Sequence, residues 1–120
     1  MKYKNDLIDR LLQFSADVIK TSRALPKNPE FDIIKRQLIK SVTSVGANYQ
    51  ESQSASSPAD FKNKVRIALK EMSESTYWIR LIILILENTN LQMKLKRIQK
   101  ESKELEKILG SIIHKSRIKS

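Results

Sequence analysis

The sequence predicts an all-α protein, an antiparallel up-down-up-down four-helix bundle, from three observations. Apolar residues recur at spacings of three and four in four separate stretches, which is the repeat of a helix that buries one face. The chain has only two glycines and three prolines, and each proline lies at a predicted helix boundary. The connections between the four stretches are short, which favours antiparallel neighbours. We expect one domain over residues 1–120.

The first predicted helix covers about residues 3–24. Its predicted buried stripe consists of Leu7, Leu11, Phe14, Val18 and Leu25, with Ile8, Leu12 and Ile19 alongside. Pro26 ends this helix, because the residue before a proline is disfavoured in the helical conformation. Asn28 and Pro29 then supply the N-cap and the first position of a second helix, over about residues 29–54.

The second helix has an inward stripe and, near its middle, a group of small residues. The stripe consists of Phe31, Ile34, Leu38, Val42, Val45 and Tyr49, and the small residues are Ser41, Ser44, Gly46 and Ala47. A glycine inside a helix costs about 1 kcal/mol relative to alanine, so Gly46 predicts the close approach of another helix backbone. Asn48 is expected to be at least half-buried, with a hydrogen-bond partner. Gly46, Ala47 and Asn48 together form a candidate structural motif.

The third helix, over about residues 58–88, is the longest apolar element of the chain. Ser57 is its predicted N-cap, with Asp60 reaching back towards the cap. Its inward seam is Phe61, Val65, Ala68, Met72, Ser75, Ile79, Ile82 and Leu86. A second apolar face, formed by Trp78, Leu81 and Ile85, lies about 100–160° from that seam. Because its own bundle cannot cover this face, another copy of the chain is the expected cover.

Two acidic residues adjoin this second face. Glu71 and Glu74 are three residues apart on the third helix. A pair of carboxylates could perform acid–base catalysis in a cleft, but a continuous helix face predicts no cleft. We therefore expect Glu71 and Glu74 to pair with lysine or arginine where helices or subunits meet. The predicted oligomer interface consists of Glu71, Glu74, Trp78, Leu81 and Ile85.

The fourth helix, over about residues 91–114, carries a basic strip. Its inward stripe is Leu91, Leu95, Ile98, Ser102, Leu105, Leu109 and Ile112. Opposite this stripe, at about 120–180°, lie Lys96, Lys100, Lys103 and Lys107. His114 points the same way, Gly110 permits fraying, and residues 115–120 are expected to form a loose tail.

The distribution of charge favours a polyanionic partner. The net charge is +10; residues 1–90 carry 14 basic and 10 acidic side chains, whereas residues 91–120 carry 9 and 3. The last quarter of the chain therefore holds more than half of the net charge. Such a surface attracts nucleic acid, with a solvated basic face as the alternative interpretation. Because the strip has no arginine and few aromatic neighbours, we expect weak sequence preference.

Several function classes are disfavoured. The chain has no cysteine and one histidine, which excludes thiolate metal sites and the paired Glu-x-x-His motifs of di-iron bundles. It has no glycine-rich phosphate loop and no nucleophile elbow. We therefore expect no enzymatic activity, metal or cofactor. The apolar run from Tyr77 to Leu86 is about half a membrane span, and no predicted helix combines a free apolar face with a basic one, so we expect a cytoplasmic protein without membrane contact.

The segment QLIKSVTSVGANYQE, residues 37–51, resembles the signature of the four helix bundle protein family. This family is also called the intervening-sequence or ribosomal S-type family, and its genes include those found inside intervening sequences of bacterial large-subunit ribosomal RNA. The third helix is also similar to the family pattern at Phe61, Ala68, Glu71, Glu74, Tyr77 and Trp78. The chain departs from the commonest pattern at Tyr49, Gln50 and Ser52.

The resemblance implies a bundle that assembles as a ring-shaped homopentamer. It also points to a relative, the accessory variability determinant of diversity-generating retroelements, a basic pentamer that binds nucleic acid and a reverse transcriptase. We thus expect a non-enzymatic homo-oligomer that binds RNA or DNA through its fourth helix, with a reverse transcriptase as a further candidate partner. The alternative is a protein-interaction scaffold with an acidic protein partner.

Overall fold

The computed structural model describes the backbone of residues 2–119 and the surroundings of the side chains of residues 6–116. The chain forms four helices: α1 (Lys2–Ser22), α2 (Pro29–Ser52), α3 (Pro58–Ile85) and α4 (Thr89–Lys119). Each helix packs against its neighbours in the order α1–α2–α3–α4–α1. The bundle measures 48 × 22 × 20 Å, so its long axis is one helix in length. The predicted all-α, antiparallel four-helix bundle is confirmed.

Side-chain caps begin three of the helices. The side-chain oxygen of Asn28 accepts a hydrogen bond from the backbone N–H of Phe31 at 3.0 Å, and Pro29 occupies the first turn of α2. Ser57 accepts from the N–H of Asp60 at 3.1 Å, while the carboxylate of Asp60 accepts from the N–H of Ser56 at 3.0 Å. A cap of this kind is worth about 1 kcal/mol, because it satisfies backbone groups that the helix leaves free.

The loop between α3 and α4 is fixed by two polar side chains. Asn88 accepts from the backbone N–H of Leu91 at 3.0 Å, which starts α4. The side-chain amide of Gln92 reaches back and donates to the carbonyls of Ile83 and Leu86, at 3.1 and 2.5 Å. The free carbonyls at the end of α3 therefore have a donor from the next helix.

The helix bounds differ from the predicted ones by a few residues at most ends. α1 stops at Ser22 and α3 at Ile85, each two to three residues earlier than the sequence pattern indicated. The larger difference is in α4, which continues past the predicted end at His114 as far as Lys119. Its hydrogen-bonded backbone passes through Gly110 without fraying there, so the expected tail over residues 115–120 is helical as far as Lys119; the side chains from 117 onward lie outside the described residues.

The core contains the predicted stripes with a few exceptions. Its buried apolar side chains are Leu7, Leu11, Phe14, Val18, Leu25, Phe31, Ile34, Leu38, Val42, Val45, Tyr49, Val65, Ala68, Met72, Ile79, Ile82, Leu86, Leu91, Leu95, Ile98, Leu105, Leu109 and Ile113. Phe61, Ile8 and Ile112 are only partly buried, and Ile113 replaces Ile112 as the last buried position of α4. Leu12 is 64% exposed, because it lies on the flank of α1 rather than on its inward face.

Pairs of hydroxyl groups join α3 to both neighbouring helices. The Oγ atoms of Ser41 and Ser75 are 2.8 Å apart between α2 and α3. On the other flank of α3, the Oγ1 of Thr76 lies 2.8 Å from the Oγ of Ser102 on α4. All four residues are buried, so each pair can form only where the two helices are in this register.

The prediction that Gly46 marks a close helix contact is wrong. A methyl group built on Gly46 would meet no atom within 4 Å. Ser41 is buried between α2 and α3 as predicted, but Ala47 is exposed, and Gly46 lies with it on the flank of α2 that faces α1. The spacing alone did not separate the inward face of α2 from this flank.

Candidate nucleic-acid interface

The four lysines of the predicted strip form one row on the outer face of α4. Lys96, Lys100, Lys103 and Lys107 are all exposed. At about 1.5 Å per residue, the row extends over roughly 16 Å of helix. Among residues 6–116, none of the four lies within 4 Å of a carboxylate oxygen. The row can therefore contact several successive phosphates at once.

Two of the three acidic residues of α4 form contacts with neighbouring helices. Glu101 accepts two hydrogen bonds from the guanidinium of Arg10 on α1, both at 2.7 Å. Glu106 accepts from the hydroxyls of Ser73, at 2.9 Å, and Thr76, at 2.6 Å, on α3. Two of the three carboxylates of α4 are thus held by neighbouring helices, and Glu104 remains exposed. The outer face of α4 therefore carries four exposed lysines and one exposed carboxylate, that of Glu104 beside Lys100.

Two arginines lie beside the strip. Arg66 of α3 lines a shallow depression together with His114 of α4, which extends the basic surface across the α3/α4 boundary. Arg97 lines another depression with Lys100, next to Glu101 and Glu104. No sequence pattern indicated Arg66, because only the antiparallel register of α3 and α4 places it near the end of the strip.

The predicted oligomer interface lies on the side of the bundle formed by α2 and α3. Trp78 and Leu81 are partly buried against the core, whereas Ile85 is 41% exposed. The ring of Tyr77 packs edge-on against Trp78, with ring centroids 5.0 Å apart. The indole Nε1 of Trp78 is buried and has no hydrogen-bond partner among the described residues. That these residues contact a second copy stays a prediction.

Glu71 and Glu74 face each other. Neither forms an ion pair with a lysine or arginine among residues 6–116, so the expected pairing does not occur within one chain. Burial of Glu71, a hydrogen bond with Glu74 and the repulsion between the two carboxylates raise the pKa of Glu71. Lys70 and Lys40 act in the opposite direction. A cation supplied from outside the chain would relieve this repulsion.

The candidate motif of Gly46, Ala47 and Asn48 is divided between two sides of α2. Asn48 is half-buried and donates to the carbonyl and the hydroxyl of Ser44, at 2.9 and 3.1 Å. The expectation of a half-buried, partnered Asn48 is confirmed. Gly46 and Ala47 lie on the α1 side instead, so the three residues form no common site.

Two larger cavities occur outside the basic strip. One, of about 600 Å³, lies at the end of the bundle where the α1–α2 loop meets the α3–α4 loop, and its lining includes Ala24, Phe31, Ile85 and Leu91. The other is a groove of about 510 Å³ between α1 and α2. Neither cavity is lined by Glu71 or Glu74. Within residues 2–119, no helix is both long and apolar enough to cross a bilayer.

The fold and the basic strip define a class, that of a small basic four-helix bundle with an apolar side and a positive side. Comparison with known proteins then places the chain. Residues 4–111 match the family described as 23S rRNA-intervening sequence protein, and the chain belongs to this family. The predicted resemblance is confirmed.

A solved structure agrees with this assignment. The chain is similar to a protein with unknown function from the S23 ribosomal protein family of Bacteroides thetaiotaomicron VPI-5482, whose crystal structure has been determined. The two share 36% sequence identity and a TM-score of 0.82, over 95% of this chain and 99% of the other. No curated protein matches the chain.

Proposed function

We propose that the protein is a non-enzymatic homo-oligomer that binds RNA or DNA through the outer face of α4. The observation that carries the proposal is the row of four exposed lysines, Lys96, Lys100, Lys103 and Lys107, none of which forms an ion pair among the described residues. Two of the three acids of α4 contact other helices instead. The family, described by its occurrence in 23S rRNA intervening sequences, is consistent with an RNA partner. The proposal includes a cytoplasmic location, since the partner is cellular nucleic acid.

The chemistry of the strip indicates what kind of binding to expect. Lysine ammonium groups attract phosphate as point charges, and they lack the planar fork with which arginine reads a base edge. Tyr77 and Trp78 lie on α3 and pack on each other, so the strip has no aromatic platform for stacking bases. Binding should therefore follow the backbone and show weak sequence preference.

The oligomer is the second part of the proposal. The α2/α3 side presents Trp78, Leu81 and Ile85, and a second copy would remove these side chains from water. Repetition around a ring would bring several lysine strips onto one assembly and raise affinity by multivalency. Five copies is the number that the family resemblance implies, and a reverse transcriptase bound to nucleic acid is a further candidate partner.

The test changes all four lysines of the strip to glutamine. The control changes four exposed basic residues that lie away from the strip and from Glu71, namely Lys20, Arg23, Lys27 and Arg36, so that both variants lose the same charge. Affinity for a short RNA duplex and a single strand of the same sequence is measured over a range of salt concentrations. Each phosphate contact contributes about −0.9 to the log–log salt slope for duplex DNA and about −0.7 for a single strand, so the strip should account for a slope of roughly −3 to −4.

The strip variant should lose this slope, while the control keeps most of it. If both variants lose affinity equally, binding follows net charge and not the strip. If the wild-type chain binds neither nucleic acid at low salt, an acidic protein partner becomes the better explanation of the strip.

A further inference from the structure

Two arginines of α3 lie on the flank of that helix that faces α4. Arg66 lines a depression with His114 of α4. Arg80 lines another depression with Gln99 of α4. The two arginines are close to four helical turns apart, so they lie on one side of α3, separated by about 21 Å along its axis. Both are exposed, and neither forms an ion pair among the described residues.

These arginines and the lysine strip form two rows, one on each side of the α3/α4 boundary. Because the two helices are antiparallel, Arg66 lies beside the carboxyl-terminal end of the strip and Arg80 beside its amino-terminal half. The axes of packed helices are about 8–10 Å apart, so the two rows run close together. Glu87, two turns beyond Arg80, marks one end of this positive surface. We refer to Arg66, Arg80 and the four lysines of the strip as the α3/α4 face.

The boundary between the two rows contains a carboxylate. Glu106 is half-buried there, and its carboxylate accepts hydrogen bonds from the hydroxyls of Ser73 and Thr76, one on each oxygen. An ionised carboxylate can accept about four hydrogen bonds, so Glu106 can accept another from outside the chain. The negative charge repels a phosphate, whereas a hydroxyl group can donate to it. The two edges of the α3/α4 face therefore favour phosphates, and its centre favours a hydroxyl donor.

An A-form RNA duplex presents groups in this arrangement. Its minor groove is wide and shallow, and it displays the 2′-hydroxyl groups between the phosphates of the two strands. A single strand has only one line of phosphates, which the lysine strip alone can follow. A DNA duplex has two lines of phosphates but no 2′-hydroxyl group. The α3/α4 face is thus complementary to duplex RNA in both its edges and its centre.

We propose that the α3/α4 face binds an RNA duplex across the minor groove. The lysines contact the phosphates of one strand, Arg66 and Arg80 contact those of the other, and Glu106 accepts from a 2′-hydroxyl between them. The inference rests on the proposed function, because it uses the same strip, and it names the class of nucleic acid that the strip binds. By helical spacing, Arg80 lies about 160° around α3 from Trp78, so the proposed oligomer leaves this face open.

The test compares four probes of one sequence: an RNA duplex, a DNA duplex, an RNA duplex with 2′-fluoro in place of 2′-hydroxyl, and single-stranded RNA. The 2′-fluoro duplex keeps the A-form but has no 2′-hydroxyl to donate. Fluorescence anisotropy with the full chain gives the affinity of each probe over a range of salt concentrations. The RNA duplex should bind most tightly. The 2′-fluoro duplex should bind about tenfold more weakly, as expected for the loss of one hydrogen bond to a charged acceptor.

The arginine variant is Arg66→Gln with Arg80→Gln. Its matched control is Arg23→Gln with Arg36→Gln, which removes the same charge from exposed residues outside α3 and α4. Each phosphate contact contributes about 0.9 to the log–log salt slope of a duplex, so the arginine variant should reduce the slope for the RNA duplex by about 1.8. Single-stranded RNA should bind the variant and the control equally. All four side chains are exposed, so both proteins should fold, as circular dichroism would show.

Glu106→Leu tests the centre of the α3/α4 face. This change removes a negative charge, so it should strengthen the binding of every duplex. It also removes the acceptor, so the tenfold preference for the RNA duplex over the 2′-fluoro duplex should disappear. A purely structural role of Glu106 would change both affinities together and leave the preference intact.

The inference is wrong if the DNA duplex or the 2′-fluoro duplex binds as tightly as the RNA duplex. It is also wrong if the arginine variant and its control change the duplex slope equally. The proposed function fails differently, since the variant of the four strip lysines would then keep the wild-type slope for every probe. A loss of slope in the lysine variant without one in the arginine variant would overturn the duplex assignment alone.

Discussion

The two helices α1 and α3 lie at opposite corners of the bundle and pack in different ways. α3 is joined to α2 and α4 by buried hydroxyl pairs, and seven of its residues are buried. α1 is joined to its neighbours by an ion pair at the surface, Arg10 with Glu101, and by the long hydrogen bond of Ser15. α3 therefore packs closely on both of its neighbours, whereas α1 leaves an open groove between itself and α2.

This difference separates what holds the chain together from what is free to bind. Because the flanks of α3 are closed, its uncovered apolar groups are those on its outer side. The open flank of α1 exposes Leu12 and the space above Gly46. Leu12 on α1 and Ile33 and Ile85 on the α2/α3 side are thus exposed apolar residues on two different sides of the bundle. The predictions below test this division.

The largest loss of stability is expected when a fully buried side chain of α3 is shortened. Met72→Ala on α3 should lower the free energy of unfolding by about 2–5 kcal/mol, because it leaves a cavity where the side chain is fully buried. Leu12→Ala on α1 should change it by less than about 0.5 kcal/mol. Both are measured by urea denaturation in a chain that also carries Ile33→Glu and Ile85→Glu. These two changes place charge on exposed apolar residues of the α2/α3 side and should prevent assembly, so that only the single chain is measured. Equal losses at positions 72 and 12 would contradict the difference in packing between α3 and the exposed flank of α1.

A smaller effect is expected at the hydroxyl contacts of α3. Thr76→Val keeps the shape of the side chain but removes a hydroxyl whose oxygen lies 2.6 Å from the Oε2 of Glu106. The carboxylate then lacks one donor, so stability should fall by about 1–3 kcal/mol. Thr43→Val is the control, since this exposed hydroxyl contacts only carbonyls of its own helix. A Thr43 loss as large as the Thr76 loss would show that the contact between helices is unimportant.

Gly46→Ala should stabilise the single chain. The added methyl group meets no atom within 4 Å, and alanine is the better helix former, so the gain should be about 0.4–1 kcal/mol. Gly110→Ala, which also adds its methyl group to open space, provides the control. A loss of stability in Gly46→Ala would instead indicate the close helix contact that the sequence pattern predicted.

The smallest expected effect is a pH dependence at Glu71. Folding raises the pKa of this carboxyl, chiefly through burial and its neighbour Glu74, so the folded chain holds the proton more tightly than the unfolded chain does. Its favourable contribution is present below about pH 4.3, the unfolded value, and is lost as the pH rises through the folded pKa. Glu71→Gln in the single-chain background should therefore stabilise more at pH 7 than at pH 4.

A larger stabilisation at pH 4 than at pH 7 would contradict a raised pKa of Glu71 in the folded chain. Glu87→Gln removes an exposed carboxyl at the far end of α3 and serves as the control. Denaturation midpoints at both pH values provide the measurement.

Helical periodicity predicted the fold because each helix buries one face. The inward stripes from Leu7 to Leu109, the caps at Asn28 and Ser57 and the basic strip could all be read from spacing and residue type. Periodicity failed at Gly46 because a flank 80–100° from the core direction can be closed or open, depending on the neighbouring helix. The position of Arg66 beside α4 and the hydrogen bonds that Glu101 and Glu106 accept from other helices depend on the register between helices. No local sequence pattern contains that register.

The most direct test of the account is the mass of the wild-type chain in solution. Sedimentation equilibrium over micromolar concentrations should give a multiple of 13.9 kDa, with five copies as the expected number, because Trp78, Leu81 and Ile85 need the cover of another copy. A single species of 13.9 kDa at every concentration would contradict the account, since Ile85 and its neighbours would then face water without a partner.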